Sequence, residues 1–285
     1  MDAVPIWFVD VVETAFVTPR MVRVTLGGDD LAGIDRLEPD QQVKLYFPRE
    51  GQSAPRMPEP DGDFARWYTA FTAIPEDERP VMRSYTIRRH DRARRMVDID
   101  FVLHGDTVHI GPATRWARTA RPGDTIAMFG PSSTFARPVP LMDAVTGKDW
   151  LLLAGDETAL PAIGSILEAL PAGHRALAFV EVADAGEEQR LRSRGEVTVR
   201  WLHRGNGETL VEAVRDAEFP DGEVFAWLAA EAGVVRALRR HLVNERGVSK
   251  RDIEFTGHWR RSLSQDDAPT EEDLAEAKER MAGEA

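Results

Sequence analysis

Leu151-Leu152-Leu153-Ala154-Gly155-Asp156-Glu157-Thr158-Ala159-Leu160-Pro161-Ala162-Ile163 carries a strand, a turn and a helix in thirteen residues. Its first four residues are apolar without alternation, which marks a strand buried on both faces. Gly155 breaks the strand, and Thr158 is placed to cap a helix. Pro161 falls in that helix's first turn, where its missing N–H is tolerated. Outward from this unit the same order repeats. Apolar strands are expected at Trp150–Ala154, Ala176–Val182, Val197–Leu202, Val224–Ala229 and Ile253–Phe255, with helix-period segments at Leu160–Leu170 and Val234–Asn244. Alternating strand and helix predicts a doubly wound parallel sheet. The turn after Gly155 lacks G-x-G-x-x-G, and Asp156 and Glu157 suit the helix dipole but repel a phosphate set directly on it. About 26 residues beyond Gly155 comes Glu181, with Asp184 after it. An acid there binds ribose hydroxyls, whereas Arg204, after the next strand, suits a 2′-phosphate; both alternatives stay open.

The first half has a different texture. Short alternating segments at Ile6–Val12, Met21–Leu26, Val43–Phe47, Val81–Arg88, Met96–Leu103 and Thr125–Phe129 are separated by Gly-, Pro- and Asp-rich turns. Six such strands predict a small closed antiparallel barrel. The stretch Ser53–Asp77 reads as a long loop with room for short helices. Composition shifts near Pro138-Val139-Pro140, so three parts are expected: a barrel over 1–138, an α/β domain over 139–258, and an acidic helical tail over 259–285. The tail's helix begins at Thr270, followed by Glu271, Glu272 and Asp273.

The 285 residues are 42% hydrophobic and 29% charged, as in a soluble globular chain. Cysteine is absent. This excludes disulfides, thiol nucleophiles, cysteine-held iron–sulfur clusters and C-x-x-C redox motifs. The net charge of −12 argues against bulk nucleic-acid binding. No apolar run approaches bilayer length, and Asp2 sits where a secretion signal needs basic residues, so a cytoplasmic, membrane-free protein is expected; a monomer is expected as well. Charge is uneven. Ser262–Ala285 holds eight acids and two bases, while Arg83–Arg95 holds six Arg and one Asp. No His pair has i,i+4 spacing; His104 and His109 lie across a turn and read as structural, so no metal site is expected. Gly130-Pro131-Ser132-Ser133 is not a nucleophile elbow, and no Walker loop occurs.

Within the basic stretch, Arg83-Ser84-Tyr85-Thr86-Ile87-Arg88 packs two cations, two hydroxyls and a phenol into one strand. Extended geometry puts Arg83 and Tyr85 on one face, Ser84 and Thr86 on the other. An arginine fork suits a diphosphate, and a neighbouring tyrosine stacks on a flat ring. On the next strand Val97, Ile99, Phe101 and Leu103 share one face, and Asp98, Asp100, Val102 and His104 the other. Beyond Gly105 follows Gly111-Pro112-Ala113-Thr114-Arg115-Trp116-Ala117, small residues and a Thr suited to cap a helix. Free backbone N–H groups there form an anion cradle, with Trp116 one turn in, as a ring wall or a core residue.

Taken together, Arg83–Arg88, Asp100–Gly105, Gly111–Ala117 and Asp156–Ile163 resemble siderophore-interacting proteins. These are FAD-dependent ferric-siderophore reductases of the ferredoxin-NADP reductase-like superfamily. The resemblance covers Val9 to Arg261. It implies that Arg83 pairs with the flavin phosphates, Tyr85 contacts the ring or ribityl chain, and Thr86 lies near the reactive ring nitrogen. Ser84 and Arg88 belong to the same site. It also implies that Gly111, Pro112, Ala113 and Thr114 hold the diphosphate beside Trp116, and that Asp100, Phe101, Val102, Leu103 and His104 line the adenine or ring side. Asp156, Glu157, Thr158, Ala159 and Trp259 would serve cofactor binding in the α/β half, with NADH or NADPH, or ferredoxin, as donor. The family's Gly-Tyr-Trp-Arg-x-Gly stands here as Gly257-His258-Trp259-Arg260-Arg261-Ser262, with His for Tyr and Ser for the last Gly. Arg115, Arg118, Lys250, Arg251, Arg260 and Arg261 are the cations expected to receive an anionic ferric siderophore. A generic NAD(P)H:flavin or ferredoxin-type reductase and a non-enzymatic siderophore-binding protein are the alternatives.

Overall fold

The computed structural model describes residues 5–34, 37–104, 111–131, 137–261 and 263, with 270, 271 and 274. The chain divides into two compact units, Met1–Ala136 and Arg137–Ala285. In the first unit β1 (Ile6–Thr18), β2 (Met21–Gly27), β3 (Gln42–Phe47), β4 (Val81–Asp91), β5 (Met96–Val102) and β6 (Thr125–Phe129) close a barrel in the order β1-β2-β5-β4-β3-β6. Every pairing is antiparallel. Alternation decides its interior. Val22, Val24 and Leu26 of β2 stand opposite Phe101, Ile99 and Val97 of β5, all buried in one core.

The expected loop before β4 contains a helix, α1 (Phe64–Thr72), whose Asp63 cap accepts from the Ala65 and Arg66 N–H groups. Trp67 and Phe71 on α1 cover Tyr46 and Ala127, paired residues on the barrel's outer surface. That second small core explains why those outward positions are buried. After β5 comes α2 (Pro112–Thr119). It starts with Gly111 as N-cap and Pro112 at its first position, so Thr114 lies inside the first turn rather than capping it. The pyrrolidine's fixed φ suits that first position, which sets the start.

The second unit runs α3 (Leu141–Thr146), β7 (Trp150–Asp156), α4 (Leu160–Ala169), β8 (Arg175–Val182), β9 (Glu196–His203), α5 (Leu210–Arg215), β10 (Val224–Glu231), α6 (Ala232–Asn244) and β11 (Ile253–Trp259). The sheet is parallel, in the order β11-β10-β7-β8-β9. The chain moves outward from β7 to β9, then returns to β10 on β7's other side. The crevice at the carboxyl ends of β7 and β10 is therefore a topological switch point. Central β7 is buried along its whole length, as its apolar run predicts. Most of the expected tail helix lies outside the described residues. Among the described residues no helix is long and apolar enough to cross a membrane.

Gly155 is set by close approach. A Cβ built there would lie 2.4 Å from the Ala159 Cβ and 2.6 Å from the Ala229 carbonyl oxygen. Gly155→Ala is expected to lower stability by about 2–3 kcal/mol, since β7 and β10 must part to admit it. A denaturant midpoint unchanged from the parent chain would refute this.

Candidate functional site

In the barrel, β4 is held unequally along its length. Its ladder with β3 covers Val81 to Thr86, whereas its ladder with β5 runs only from Ile87–Ile99 to Asp91–Met96, with an irregularity between Ile87 and Arg89. Arg83 to Thr86 thus has a strand neighbour on one side only, and β5 from Asp100 to Val102 pairs with β2 alone. The seam presents main-chain groups outside any ladder beside the Arg-Ser-Tyr-Thr run, where a ligand's polar edge can be bound.

Side chains sort across this seam by register. Arg83 stands opposite Leu45 and Tyr85 opposite Val43, on the face of the barrel core; Ser84 stands opposite Lys44 and Thr86 opposite Gln42, on the other face. One Arg83 nitrogen donates to the Met82 carbonyl at 2.6 Å. The Tyr85 ring lies 4.4 Å from Phe101 and 6.4 Å from Phe47, and Trp116 lies 5.2 Å from Phe47 and 5.6 Å from Phe101. Trp116 is therefore a member of an aromatic cluster on the core. Burial pushes the Tyr85 phenol well above its usual range, with the Arg83 charge opposing it, so the hydroxyl stays protonated. Thr86 is buried.

Lys44 was not singled out in the sequence. It donates to the Ser84 Oγ at 2.5 Å, and burial lowers its pKa. A lone Lys in an alternating strand carries no local mark; only its register opposite Ser84 reveals it.

The structure reassigns part of the β5 run. Both Asp100 oxygens are taken by Arg23, from Nε at 2.6 Å and Nη2 at 2.8 Å, and the carboxylate is buried. Asp100 locks β5 to β2, because the two residues face each other across the ladder. Phe101 is wholly inside the barrel core, Leu103 is buried there, Val102 is half-buried and His104 is exposed. At α2, Gly111 and Pro112 are exposed, and a Cβ at Gly111 would meet nothing within 4 Å. Ala113 packs on the core, and the buried Thr114 hydroxyl reaches the Val102 carbonyl at 3.4 Å, which moors the helix start to the end of β5. Arg115 and Arg118 lie exposed on one helical face. Gly105 and His109 fall outside the described residues.

In the α/β unit, Asp156 is a hub. Oδ1 accepts from the Thr158 N–H (2.9 Å) and hydroxyl (2.5 Å), and Oδ2 from the Glu231 N–H (3.1 Å) and the Trp259 Nε1 (2.7 Å). Asp156 thus ties the ends of β7, β10 and β11 together, and its burial leaves it a scaffold rather than a ligand contact. Thr158 is spent on the same hub, so Ala159, itself buried, is the α4 N-cap. Since the Thr158 proton goes to Asp156, the His258 Nδ1 at 3.2 Å must be the donor to Thr158. Glu231 caps α6 through the Val234 N–H (3.1 Å) and accepts from the Arg261 N–H (3.2 Å). Glu157 receives both Arg204 terminal nitrogens, at 2.9 and 2.5 Å, while Arg204 Nε reaches Glu181 at 3.1 Å.

The six cations do not form one group. Arg260 and Arg261 follow β11 at the crevice, but Lys250 and Arg251 lie in a short turn before its first residue. Seven extended residues at ~3.3 Å each separate the two pairs by roughly 20 Å. Lys250 and Arg251 are thereby placed at the other end of β11, by the amino ends of the strands and near the Lys148–Asp252 ion pair.

Two family models match this chain, "Siderophore-interacting FAD-binding domain" over residues 10–135 and "Siderophore-interacting protein" over residues 148–262. The chain belongs to the siderophore-interacting protein family. It is 30% identical over 262 residues to the ferric vibriobactin reductase ViuB of Vibrio cholerae, covering 90% of each chain. The crystal structure of a siderophore utilization protein from T. fusca superposes with a TM-score of 0.74 at 38% identity, covering 93% of this chain and 97% of that one. The fold extends to a ferredoxin NADP+ reductase of Neisseria gonorrhoeae with bound FAD and NADP (TM-score 0.60, 13% identity, 90% of this chain and 99% of that one). As a siderophore-interacting protein the chain is a flavoprotein, and its barrel is the FAD-binding domain.

Proposed function

We propose that this siderophore-interacting protein is an FAD-dependent ferric-siderophore reductase that takes electrons from a nicotinamide dinucleotide and releases iron as Fe(II) in the cytoplasm. The observation that carries it is the seam beside Arg83–Thr86, where β4 parts from β5 and its main chain pairs with β3 alone. The ferric vibriobactin reductase likeness supports the choice of acceptor.

The residues fit a flavin dinucleotide. Arg83 would pair with the diphosphate, joined by the main-chain N–H groups of Gly111, Ala113 and Thr114, where the Gly111 surface is open. Tyr85 would meet the ribityl or ring edge as a neutral phenol, its ring fixed by Phe101. Thr86, at the seam, would hydrogen-bond the ring's polar edge. Bound FAD supplies the change from two-electron donor to one-electron acceptor. Siderophores hold Fe(III) through hard oxygen ligands that grip Fe(II) far less, so reduction alone frees the metal. Arg115 and Arg118, exposed on α2 of the FAD-binding unit, would attract the anionic chelate; Lys250 and Arg251 are not assigned that role.

The purified protein is expected to be yellow, with flavin absorption bands that bleach anaerobically on adding reduced nicotinamide dinucleotide and return on adding a ferric siderophore. Steady-state turnover with ferric siderophores should exceed that with quinones or ferredoxin. A protein that stays colourless after incubation with FAD would instead be a binding protein. Turnover of quinones without any ferric chelate would make it a general flavin reductase.

A further inference from the structure

We propose that the α/β unit selects a dinucleotide with a free 2′-hydroxyl, NADH, over its 2′-phosphorylated counterpart, through Glu181, Arg204 and Glu157. This deepens the reading above and rests on the chain using a nicotinamide donor. In a parallel sheet of this order the adenosine ribose lies over the carboxyl end of the strand beside the first one, which is β8 next to β7. Two residues of opposite sign stand there. Glu181 suits ribose hydroxyls and Arg204 suits a 2′-phosphate, and the sequence alone cannot choose between them.

The fold chooses by pairing them. Arg204 is anchored by its own N–H to the Val182 carbonyl at 2.9 Å. All three of its guanidinium nitrogens are engaged, two by Glu157 and one by Glu181 Oε1. Glu157 is only 8% exposed, and both of its carboxylate oxygens accept from this fork. To meet a 2′-phosphate, Arg204 would have to give up its two bonds to a buried carboxylate. The incoming phosphate would also enter a trio that already carries one net negative charge. In the loop after β8 three acids, Asp184, Glu187 and Glu188, are balanced by Arg190, Arg192 and Arg194, so the trio's own charge sets the local preference. A 2′-hydroxyl needs only an acceptor, and Glu181, with one oxygen on Arg204, supplies one from the other.

The test is isothermal titration of the full-length flavoprotein with ADP-ribose and with 2′-phospho-ADP-ribose, beside anaerobic flavin reduction by NADH and NADPH. ADP-ribose should bind at least tenfold more tightly than its 2′-phosphate. Glu181→Gln, at a partly exposed carboxylate, should lower that ratio at least threefold. Glu157→Gln combined with Glu181→Gln should release Arg204 and bring the two ligands within threefold of each other, with folding checked by circular dichroism. Equal or tighter binding of the 2′-phosphate by the parent protein would overturn the proposal, as would a ratio unmoved in Glu181→Gln. Failure of both ligands to bind, with the flavin reduced equally by NADH and NADPH, would overturn this selectivity alone. Failure to bind with no reduction by either would overturn the nicotinamide-donor reading as well.

Discussion

Arg83→Ala is expected to weaken FAD retention about ten- to hundredfold while the barrel stays folded. Arg83 stands on β4 where the strand has lost β5, and it is not one of the buried residues of the barrel core. It is half-buried, so its removal leaves a smaller void than the loss of a core side chain. A guanidinium grips a diphosphate through parallel charge-assisted bonds, and losing such a contact costs about 1.5–3 kcal/mol. That range corresponds to the stated change in affinity. Arg83→Lys keeps the charge without the fork and should fall between the two. The flavin-to-protein absorbance ratio after desalting, with a dissociation constant from flavin fluorescence, measures the effect. Retention equal to the parent protein's would place the diphosphate elsewhere in the barrel.

Asp156→Ala should be the most damaging single change in the α/β unit, with a loss of about 3–5 kcal/mol. The carboxylate is 4% exposed and takes donors from Thr158, Glu231 and Trp259. Alanine would strand all of them in a site with little water, and a buried donor without an acceptor loses its full solvation. Asp156→Asn retains one acceptor oxygen, so two donors keep a partner and part of the loss is recovered. Denaturant unfolding followed by circular dichroism reads both variants. A change under ~1 kcal/mol for alanine would mean that solvent reaches the hub and that the crevice ends of β7, β10 and β11 are not fastened through it.

Asp156 also shows how a residue can be found and its task misread. Its place after a buried strand is plain in the sequence, and the dipole argument for acids at a helix start is sound. Yet its partners come from positions 75 and 103 residues away, Glu231 and Trp259. Thr158 illustrates the same limit at short range. Thr is a better cap than Ala, but the Thr158 hydroxyl is turned toward Asp156, and Ala159 stands as the N-cap of α4 with no side-chain bond to the helix. Asp100 is likewise visible as a polar residue on an alternating strand, while its commitment to Arg23 follows from the β2–β5 register.

The sequence by itself determined the classes of element, the barrel followed by a parallel sheet, and the family. These are written in local periods: alternation in β2 and β5, the unbroken apolar run of β7, and short motifs whose order is a property of the chain. Tertiary structure alone decided which charges meet. Lys250 and Arg251 are close to Arg260 in sequence and a strand's length away in space. Glu181 and Arg204, rivals on paper for one ligand group, are bonded to each other because β8 and β9 are neighbours in the sheet. Hydrophobic period is set by the nearest few residues, whereas an ion pair is set by register and strand order, which only the folded sheet supplies.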